Sequence, residues 1–556
     1  MIYDSLLGIY SSIDTVLCHN KKSDYKVLRI DTKTDTAQLI TDADNVFYQS
    51  DTGRSSQVKA GISDNAGYVL GTGRDKKKST EWLQNKLAKY EADYLDLLES
   101  AAQDIQNEYF QSYVRWRMKR RGVVGEKLGL RLKDSDELDV VFDDLSRKDW
   151  LSINVDGQQL DLIEEVQDWW IERSVEESGE DTDRAGDDMW NVGPIARLHD
   201  KVSKLGSKIS SNKEGAYLHY GLDKTQNSWM GVKTQMQYNA VLDYLTRQDE
   251  YKYNLNGVTW FMWTDPLIED RLLLTIEDST VSVSDYFDTL YKKGLTPDDD
   301  VFLWALETNS GRQMTRHLQH ADMRTLQNAL QEFADNTSII RYNFDEKRTE
   351  IGRFSVGRML ASLTQNSGEP IEYDSILPKD QTEMIGLALN PNRSCPIRFL
   401  HKAVDRFIAC AGQNNQNVRA AIIRLYYQTN NTPMPTTLDT NSNNTYYNLG
   451  RVFAMLENIQ KQALGFDINA TITDRYMTGA VATPSRVFPE LLNKANSHLS
   501  KIGGGLAHNL QKDLAAVISR VDEFPSRTGV EEKGRMLLGY YHQKHHENEE
   551  RELNRS

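Results

Sequence analysis

Hydrophobic and polar residues alternate in several short segments before residue 345. Such alternation is typical of a strand with one buried face. It predicts strands over residues 25–30, 36–40, 271–276 and 338–344. The dipeptides Asp156-Gly157 and Asn256-Gly257 interrupt two further segments of this kind. Both dipeptides tolerate the positive φ angles of a type I′ turn, so each predicts an antiparallel hairpin.

Apolar residues recur at a helical spacing in other parts of the chain. Steps of three and four residues predict a helix that runs from Leu83 to Arg121 and ends at Gly122. From about residue 375 the helical pattern dominates, with amphipathic stripes over residues 449–463, 488–502 and 506–521. We therefore predict an α+β fold. Mixed α/β N-terminal and middle regions with antiparallel hairpins are followed by a C-terminal all-α helical bundle.

Changes in composition predict six segments. They are an N-terminal α+β region (1–132), an acidic insert (133–190), a middle mixed α/β domain (191–427), a linker (428–445), a small helical bundle (446–543) and a charged tail (544–556). The insert is rich in Asp and Glu, and the linker is rich in Asn and Thr. Residues 50–74 are rich in Gly and Ser, so we also expect an exposed loop there.

Charge and cysteine content exclude some classes of protein. The 556 residues include 66 basic and 81 acidic ones, for a net charge of −15, which excludes a uniformly basic, histone-like binder. A local basic groove stays compatible with this charge, because salt screens electrostatic interactions beyond about 10 Å. The three cysteines (Cys18, Cys395 and Cys410) form no CxxC pair, which fits a reducing cytoplasm. No apolar run reaches the roughly 18 residues of a membrane span.

Catalytic signatures are mostly missing. The sequence contains no GxxxxGKS/T, HExxH or GxSxG motif, so we predict a protein that is not an enzyme and holds no metal or other cofactor. The alternative is a metal-dependent nuclease built on an acidic cluster. That cluster comprises Asp134, Asp136, Glu137, Asp139, Asp143 and Asp144. We expect surface positions for the histidines, namely His317 and His320 on one helix face and His542, His545 and His546 in the tail.

One basic run is a candidate for binding nucleic acid. It consists of Arg115, Trp116, Arg117, Lys119, Arg120 and Arg121. Guanidinium groups pair with phosphates, and an aromatic ring can stack on an unpaired base. The alternative is a basic helix end that complements the helix dipole and pairs with the acidic insert.

Two other groups of residues could contact a nucleic acid. The loop over residues 54–74 places short polar and basic side chains beside glycines, which let a ligand approach the backbone. Its candidate residues are Arg54, Ser55, Ser56, Lys59 and Asn65. Lys494, His498 and Lys501 form a stripe opposite the apolar face of their helix. A mobile loop and an ordinary solvated helix face are the alternatives.

Several blocks of sequence are similar to one known family. The blocks are DNAGYVLG (64–71), GPIARLH (193–199), MIGLALNPN (384–392), YNLGRVFAML (447–456), DRYM (474–477), ATPSRVFP (482–489) and LGYYHQ (538–543). In this order and rough spacing they resemble the large subunit of the type I-C CRISPR Cascade surveillance complex, a CRISPR-associated Csd family protein. The resemblance is specific from residue 190 to residue 543 and patchy before residue 190.

The resemblance implies a non-catalytic subunit of an RNA-guided DNA-binding complex. Such a subunit would read a protospacer-adjacent motif on double-stranded DNA, assist duplex opening, stabilise the R-loop and recruit a separate helicase–nuclease. The implied partners are the backbone and guide-processing subunits, a small subunit, the guide RNA and the target DNA, with no membrane. Guide pairing carries the sequence information in these complexes, so the protein needs only a motif reader and a backbone groove.

The resemblance also suggests roles for the candidate residues. The loop from Arg54 to Asn65 is the expected motif reader, and the run from Arg115 to Arg121 would hold the displaced strand. Lys494, His498 and Lys501 would form a third nucleic-acid face. The family also makes a small subunit from an internal start, for which Met434 is the expected site.

Overall fold

The predicted α+β fold is confirmed by a computed structural model, in which the chain forms two units, Met1–Tyr244 and Leu245–Ser556. The structure describes residues 2–40, 46–50, 60–75, 77–120, 130–132, 145–178, 188–196, 201–202, 205–206, 208–209, 229–309, 312–343, 348–364, 373–411, 415–465 and 470–553. Among the helices in these ranges, none is both long enough and apolar enough to cross a bilayer.

The described residues of unit 1 form two sheets. Its described strands are β1 (His19–Lys22), β2 (Lys26–Asp31), β3 (Thr36–Ile40), β4 (Phe47–Ser50), β5 (Leu130–Leu132), β6 (Leu151–Val155) and β7 (Gln158–Gln159). The larger sheet has the order β5-β3-β2-β6-β7, and β1 pairs separately with β4. β2 runs antiparallel to β3 and parallel to β6. The strands predicted over residues 25–30 and 36–40 are therefore confirmed.

The described residues of unit 1 also form α-helices. They are α1 (Ile2–Tyr10), α2 (Ala66–Val69), α3 (Thr80–Asp104), α4 (Glu108–Met118), α5 (Glu164–Ser178) and α6 (Val232–Arg247), the last of which crosses the unit boundary. The single helix predicted from Leu83 to Arg121 is thus two helices. The break occurs because the Asn107 side chain accepts hydrogen bonds from the Tyr109 and Phe110 amides, which starts a new helix.

One hydrophobic core joins the larger sheet to α3 and α4. Leu28 and Ile30 of β2 belong to the same buried cluster as Tyr94 of α3 and Phe110 of α4. β6 adds Leu151, Ile153 and Val155 to this core, although it lies within the predicted acidic insert. Alternate residues of β6 face one side of the sheet, so burial of these three follows from the strand period.

Unit 2 begins with an antiparallel sheet. Its described strands are β8 (Lys252–Leu255), β9 (Val258–Asp265), β10 (Asp300–Asn309) and β11 (Arg312–Asp322), in the order β11-β10-β9-β8, and β12 (Ile339–Asn343) pairs with β13 (Arg348–Gly352). Asp156-Gly157 and Asn256-Gly257 both adopt positive φ angles between paired strands, which confirms the two predicted hairpins. His317 and His320 lie on β11, so their predicted helix is wrong.

Helices dominate the rest of unit 2. The described ones are α7 (Leu274–Glu277), α8 (Val283–Lys292), α9 (Met323–Thr337), α10 (Val356–Ala361), α11 (Pro378–Leu389), α12 (Ile397–Ala409), α13 (Gln416–Thr429), α14 (Thr445–Leu464), α15 (Ile472–Ala482), α16 (Pro484–Ile502), α17 (Gly504–Ile518) and α18 (Val530–Leu553). The strand predicted over residues 271–276 is wrong, because a short apolar run does not distinguish a strand from a buried helical turn. α16 ends at Gly503, whose φ of 65° is left-handed.

The strands and helices of unit 2 share one core. A single buried cluster extends from Leu255 of β8 to Tyr541 of α18. The segment between α13 and α14 packs against this core: Met434 is 7% exposed, and its carbonyl accepts hydrogen bonds from Arg424 and Gln428. The six-segment division of the chain stays a prediction.

The expectation of surface histidines is wrong for His542. Its ring has no exposed surface, and its Nδ1 lies 2.9 Å from the hydroxyl of Tyr447. Burial, followed by the neighbouring His545, lowers the pKa of His542 to about 3, so the ring is neutral at pH 7. α18 extends to Leu553, so most of the charged tail is helical.

Candidate nucleic-acid interface

The predicted basic run lies at the end of α4, and its central residues are buried. Phe110, Tyr113 and Val114 form the apolar stripe of this helix, and Trp116 and Arg117 continue it. Trp116 is 3% exposed, so its ring cannot stack on a base without rearrangement of the core. Tyr113 donates or accepts a 2.8 Å hydrogen bond with Tyr94 of α3, which fixes the two helices against each other.

Arg117 is a structural residue in this arrangement. Its side chain has no exposed surface, and its Nε donates to the Val69 carbonyl at 2.8 Å. One terminal nitrogen donates to the Arg120 carbonyl, and the other lies 2.6 Å from the carboxylate of Glu91. A buried cation requires such partners, since desolvation of an unpaired charge costs several kcal/mol, about 3–5 when one partner is removed.

Only part of the run faces solvent. Arg120 lies over the Trp116 ring, 4.5 Å from its centroid, and forms an ion pair with Asp35. Arg115 and Lys119 are exposed, and neither forms an ion pair with a described carboxylate. Arg115 donates instead to the Ser112 hydroxyl at 2.9 Å. Arg121 lies outside the described residues, so the candidate phosphate contacts that the structure places are Arg115 and Lys119.

Four of the five candidate residues of the predicted reading loop lie outside the described residues, namely Arg54, Ser55, Ser56 and Lys59. Asn65 is half-buried at the start of α2, where its main chain forms an isolated bridge with Trp150. Its Oδ1 atom is buried and has no hydrogen-bond partner among the described residues. The loop therefore ends in a fixed position beside residues 145–150.

The prediction of an exposed loop is wrong for residues 60–72. Nearly all of them are buried, because their main chain is hydrogen-bonded to a distant segment. The Gly67 amide donates to the Arg147 carbonyl at 3.0 Å, and the Arg74 amide donates to the Leu145 carbonyl at 2.8 Å. Gly73 has a φ of 125°, and a β-carbon there would collide with the main chain of Arg147. The glycines thus permit close packing rather than mobility.

The stripe predicted on α16 is present, but neighbouring groups reduce its positive charge. Lys494 forms an ion pair with Glu490 at 2.7 Å and lies over the ring of Tyr476. Burial, followed by the charges of Lys501 and Lys494, lowers the pKa of His498 below its usual 6.5, so this imidazole is mainly neutral at pH 7. Lys501 is exposed and forms no ion pair with a described carboxylate. Of the three, Lys501 is the cation most available to a phosphate.

Trp82, an aromatic residue that the sequence prediction did not consider, is better placed than Trp116 to stack on a base. Trp82 is 37% exposed on the first turns of α3, with the Lys78 ammonium 4.8 Å and the Arg147 guanidinium 5.7 Å from its ring centroid. One turn further along, Lys86 lies 5.2 Å from the ring centroid of Tyr90. The signal in the sequence is the i, i+4 alternation of lysine and aromatic residues, which share one helix face.

The acidic cluster of the nuclease alternative, Asp134 to Asp144, lies outside the described residues. Within the ranges that are described, no three His, Cys, Asp or Glu side chains come together in a group that could hold a metal ion.

A block that resembles the Cascade family has a clear structural role. Glu383, just before it in α11, binds the guanidinium groups of Arg393 and Arg398, the latter at 2.7 Å. Asp380 binds Arg398 at 3.2 Å and also pairs with Lys402. A β-carbon on Gly386 would lie 2.6 Å from a terminal nitrogen of Arg393. This network ties α11 to α12 rather than forming an open site.

Comparison with known families identifies the class of protein. A family model described as CRISPR-associated protein (Cas_Csd1) matches residues 21–547. Because the match covers nearly the whole chain, the chain belongs to the CRISPR-associated Csd1 family of type I-C Cascade proteins. Membership implies association with other Cascade components. A search of curated proteins finds no match.

Proposed function

We propose that the chain is the non-catalytic large subunit of a type I-C Cascade. In this role it reads the protospacer-adjacent motif on double-stranded DNA, assists duplex opening, stabilises the R-loop and recruits the helicase–nuclease. Its partners are then the guide RNA, the target DNA, and the backbone, guide-processing and small subunits. The observation that carries this proposal is the family match over residues 21–547.

The motif reader in this proposal is the loop from Arg54 to Asn65. The structure supports it indirectly, because residues 60–75 form a fixed base in which Asn65 keeps an unpaired amide oxygen. Because residues 60–65 already hold a fixed position, they lose less conformational entropy when DNA binds. Short polar side chains and backbone amides suit the narrow minor groove of DNA.

Exposed cations would hold the DNA backbone. Arg115 and Lys119 in unit 1 and Lys501 in unit 2 are exposed and form no described ion pair. Each cation that neutralises a phosphate releases condensed counterions, which gives affinity without base specificity. Sequence readout then remains with the guide and the motif reader.

Fluorescence anisotropy of a labelled target duplex, titrated with the assembled, guide-loaded complex, tests whether this loop reads the motif. We expect Arg54→Ala with Lys59→Ala to weaken binding to a target that carries the motif and to leave binding to a scrambled flank unchanged. Lys292→Ala, on an exposed position of α8, is the control. Unchanged affinity of the double variant for the motif target would overturn the loop assignment.

A separate small subunit would begin at Met434. This start precedes α14 and retains Tyr447 and Arg451, which contact His542 at 2.9 Å and Gln543 at 3.2 Å. A start at Met455 would remove both residues, because Met455 lies in the middle of α14. The fragment from Met434 therefore keeps the contacts between α14 and α18.

The alternative function is a metal-dependent nuclease that uses the carboxylates from Asp134 to Asp144. Two-metal nucleases hold their ions through acidic side chains of this kind. Incubation of the purified chain with DNA and Mg²⁺ or Mn²⁺ distinguishes the two functions. Cleavage that Asp143→Asn abolishes would establish the nuclease, and the Cascade proposal predicts no cleavage by this chain.

A further inference from the structure

A stripe of alternating lysine and aromatic residues runs along one face of α3. We define the α3 stripe as Lys78, just ahead of the helix, with Trp82, Lys86 and Tyr90 within it. Residues four apart on a helix lie about 6 Å apart along its axis and share a face. The stripe therefore presents cation, ring, cation and ring in turn along the surface of unit 1.

The contacts within the stripe are those of a stacking platform. Lys78 and Arg147 approach the Trp82 ring, at 4.8 and 5.7 Å from its centroid, and Trp82 is still 37% exposed. The ring of Tyr90 is held in place by Tyr68, on which it stacks with ring centroids 4.0 Å apart. The Lys78–Trp82 pair is exposed, and an exposed cation–π pair contributes only about 0.5–1 kcal/mol, so a ligand can replace it at small cost.

The charge of this surface favours an anionic ligand. Lys78 and Lys86 are not paired with any carboxylate of the described chain, and Lys77, Lys89 and Lys148 nearby are exposed. Arg147 is held in place by Asp75, whose carboxylate lies 2.8 Å away. The closest acidic positions along the helix are Glu81 and Glu91, and Arg117 neutralises Glu91.

Rings between cations match the chemistry of single-stranded nucleic acid. Bases of any sequence stack on an aromatic ring, and lysines pair with the phosphates between them. A duplex offers no free base to Trp82, and the carboxylates of an acidic peptide would pair with the lysines without using the ring. The stripe also adjoins the proposed reader, since Tyr68, which supports Tyr90, lies only three residues after Asn65.

We propose that the α3 stripe binds single-stranded DNA, with bases stacked on Trp82 and phosphates held by Lys78 and Lys86. This inference rests on the proposed function, in which duplex opening beside the motif releases a single strand. It gives the stripe the stacking role that the sequence assigned to Trp116, whose ring is buried.

Fluorescence anisotropy of labelled oligothymidylate with the full chain tests the proposal. Loss of one stacked base is expected to weaken binding about tenfold in Trp82→Ala. Trp82→Phe, which retains a ring, should recover most of the affinity. Lys78→Gln with Lys86→Gln should reduce the slope of log affinity against log salt by about 0.7 per lost phosphate contact. Lys33→Gln with Lys292→Gln, at exposed sites outside the stripe, should leave that slope unchanged.

Several outcomes would overturn the proposal. Wild-type affinity of Trp82→Ala, no binding by the wild-type chain, or an equal loss in Trp82→Phe would each do so. Tighter, Trp82-dependent binding of oligouridylate would assign the stripe to RNA instead. Motif preference is measured separately on the assembled complex. A chain that binds oligothymidylate through Trp82 but confers no motif preference would overturn the proposed function and leave the stripe standing.

Discussion

Gly450 of α14 lies directly against the main chain of Met536 in α18, where a β-carbon would collide with the Met536 carbonyl oxygen. The relationship is reciprocal, because Gly539 of α18 lies against the carbonyl of Tyr447. Two glycines thus allow the helices to approach until their backbones touch. Both belong to blocks that resemble the Cascade family, YNLGRVFAML and LGYYHQ, so these blocks form one helix–helix contact.

Gly450→Ala is expected to destabilise unit 2. The added methyl group has no space, and overpacking of a core typically costs about 1–3 kcal/mol. Gly505→Ala on α17 is the control, since nothing lies within 4 Å of a β-carbon there. Alanine in place of that helical glycine should be neutral or stabilising by about 1 kcal/mol. Urea unfolding followed by circular dichroism measures both, and equal midpoints would contradict the contact.

The basic run on α4 is expected to divide into structural and DNA-binding residues. Arg117→Ala leaves Glu91 without its buried partner, which should lower the free energy of unfolding by about 3–5 kcal/mol. Arg115→Ala should change stability by less than about 0.5 kcal/mol, because the side chain is exposed. In the assembled complex Arg115→Ala should instead reduce the salt slope of DNA binding by about 1. Thermal unfolding and salt titrations separate the effects, and a stable Arg117→Ala variant would refute the structural role.

Acid is expected to destabilise unit 2 through His542. Burial lowers its pKa in the folded chain to about 3, whereas an unfolded histidine titrates near pH 6.5. As the pH falls below about 6.5 only the unfolded state gains this proton, so stability is lost, by about 2 kcal/mol at pH 5. His542→Gln retains an acceptor for Tyr447 but cannot titrate. Its free energy of unfolding should fall less steeply between pH 7 and pH 5, and an unchanged slope would exclude His542 as the cause.

The internal start is expected at Met434. Met434→Leu conserves side-chain volume at a buried site, so the full chain should fold with a loss below about 1.5 kcal/mol. Mass spectrometry of the expressed locus should then show no C-terminal fragment, whereas Met455→Leu should leave the fragment in place. A fragment that persists in Met434→Leu would place its start elsewhere.

The two turn signals in the sequence predicted local structure correctly. Asp156-Gly157 and Asn256-Gly257 identified both hairpins, because the turn chemistry is contained in two residues. Features that depend on distant segments were missed. The sequence predicted an exposed loop for residues 60–72. The prediction failed because the hydrogen bonds that hold these residues in the interior come from residues 145–150, far away in sequence. The sequence predicted Arg117 as a phosphate ligand for the same reason. Its actual partners, Val69 and Glu91, lie outside its own helix.

The most direct test of the central claim measures two things: whether the chain is incorporated into the Cascade complex, and whether the complex then prefers a target with the motif. The chain is co-expressed with the other Cascade subunits, and binding of the purified guide-loaded complex to matched targets with a native or a scrambled flank is compared. We expect the chain to be incorporated and the native flank to be bound more tightly, a preference that disappears from complexes assembled without it. Guide-loaded complexes that exclude the chain, or that discriminate the two flanks equally well without it, would contradict the account.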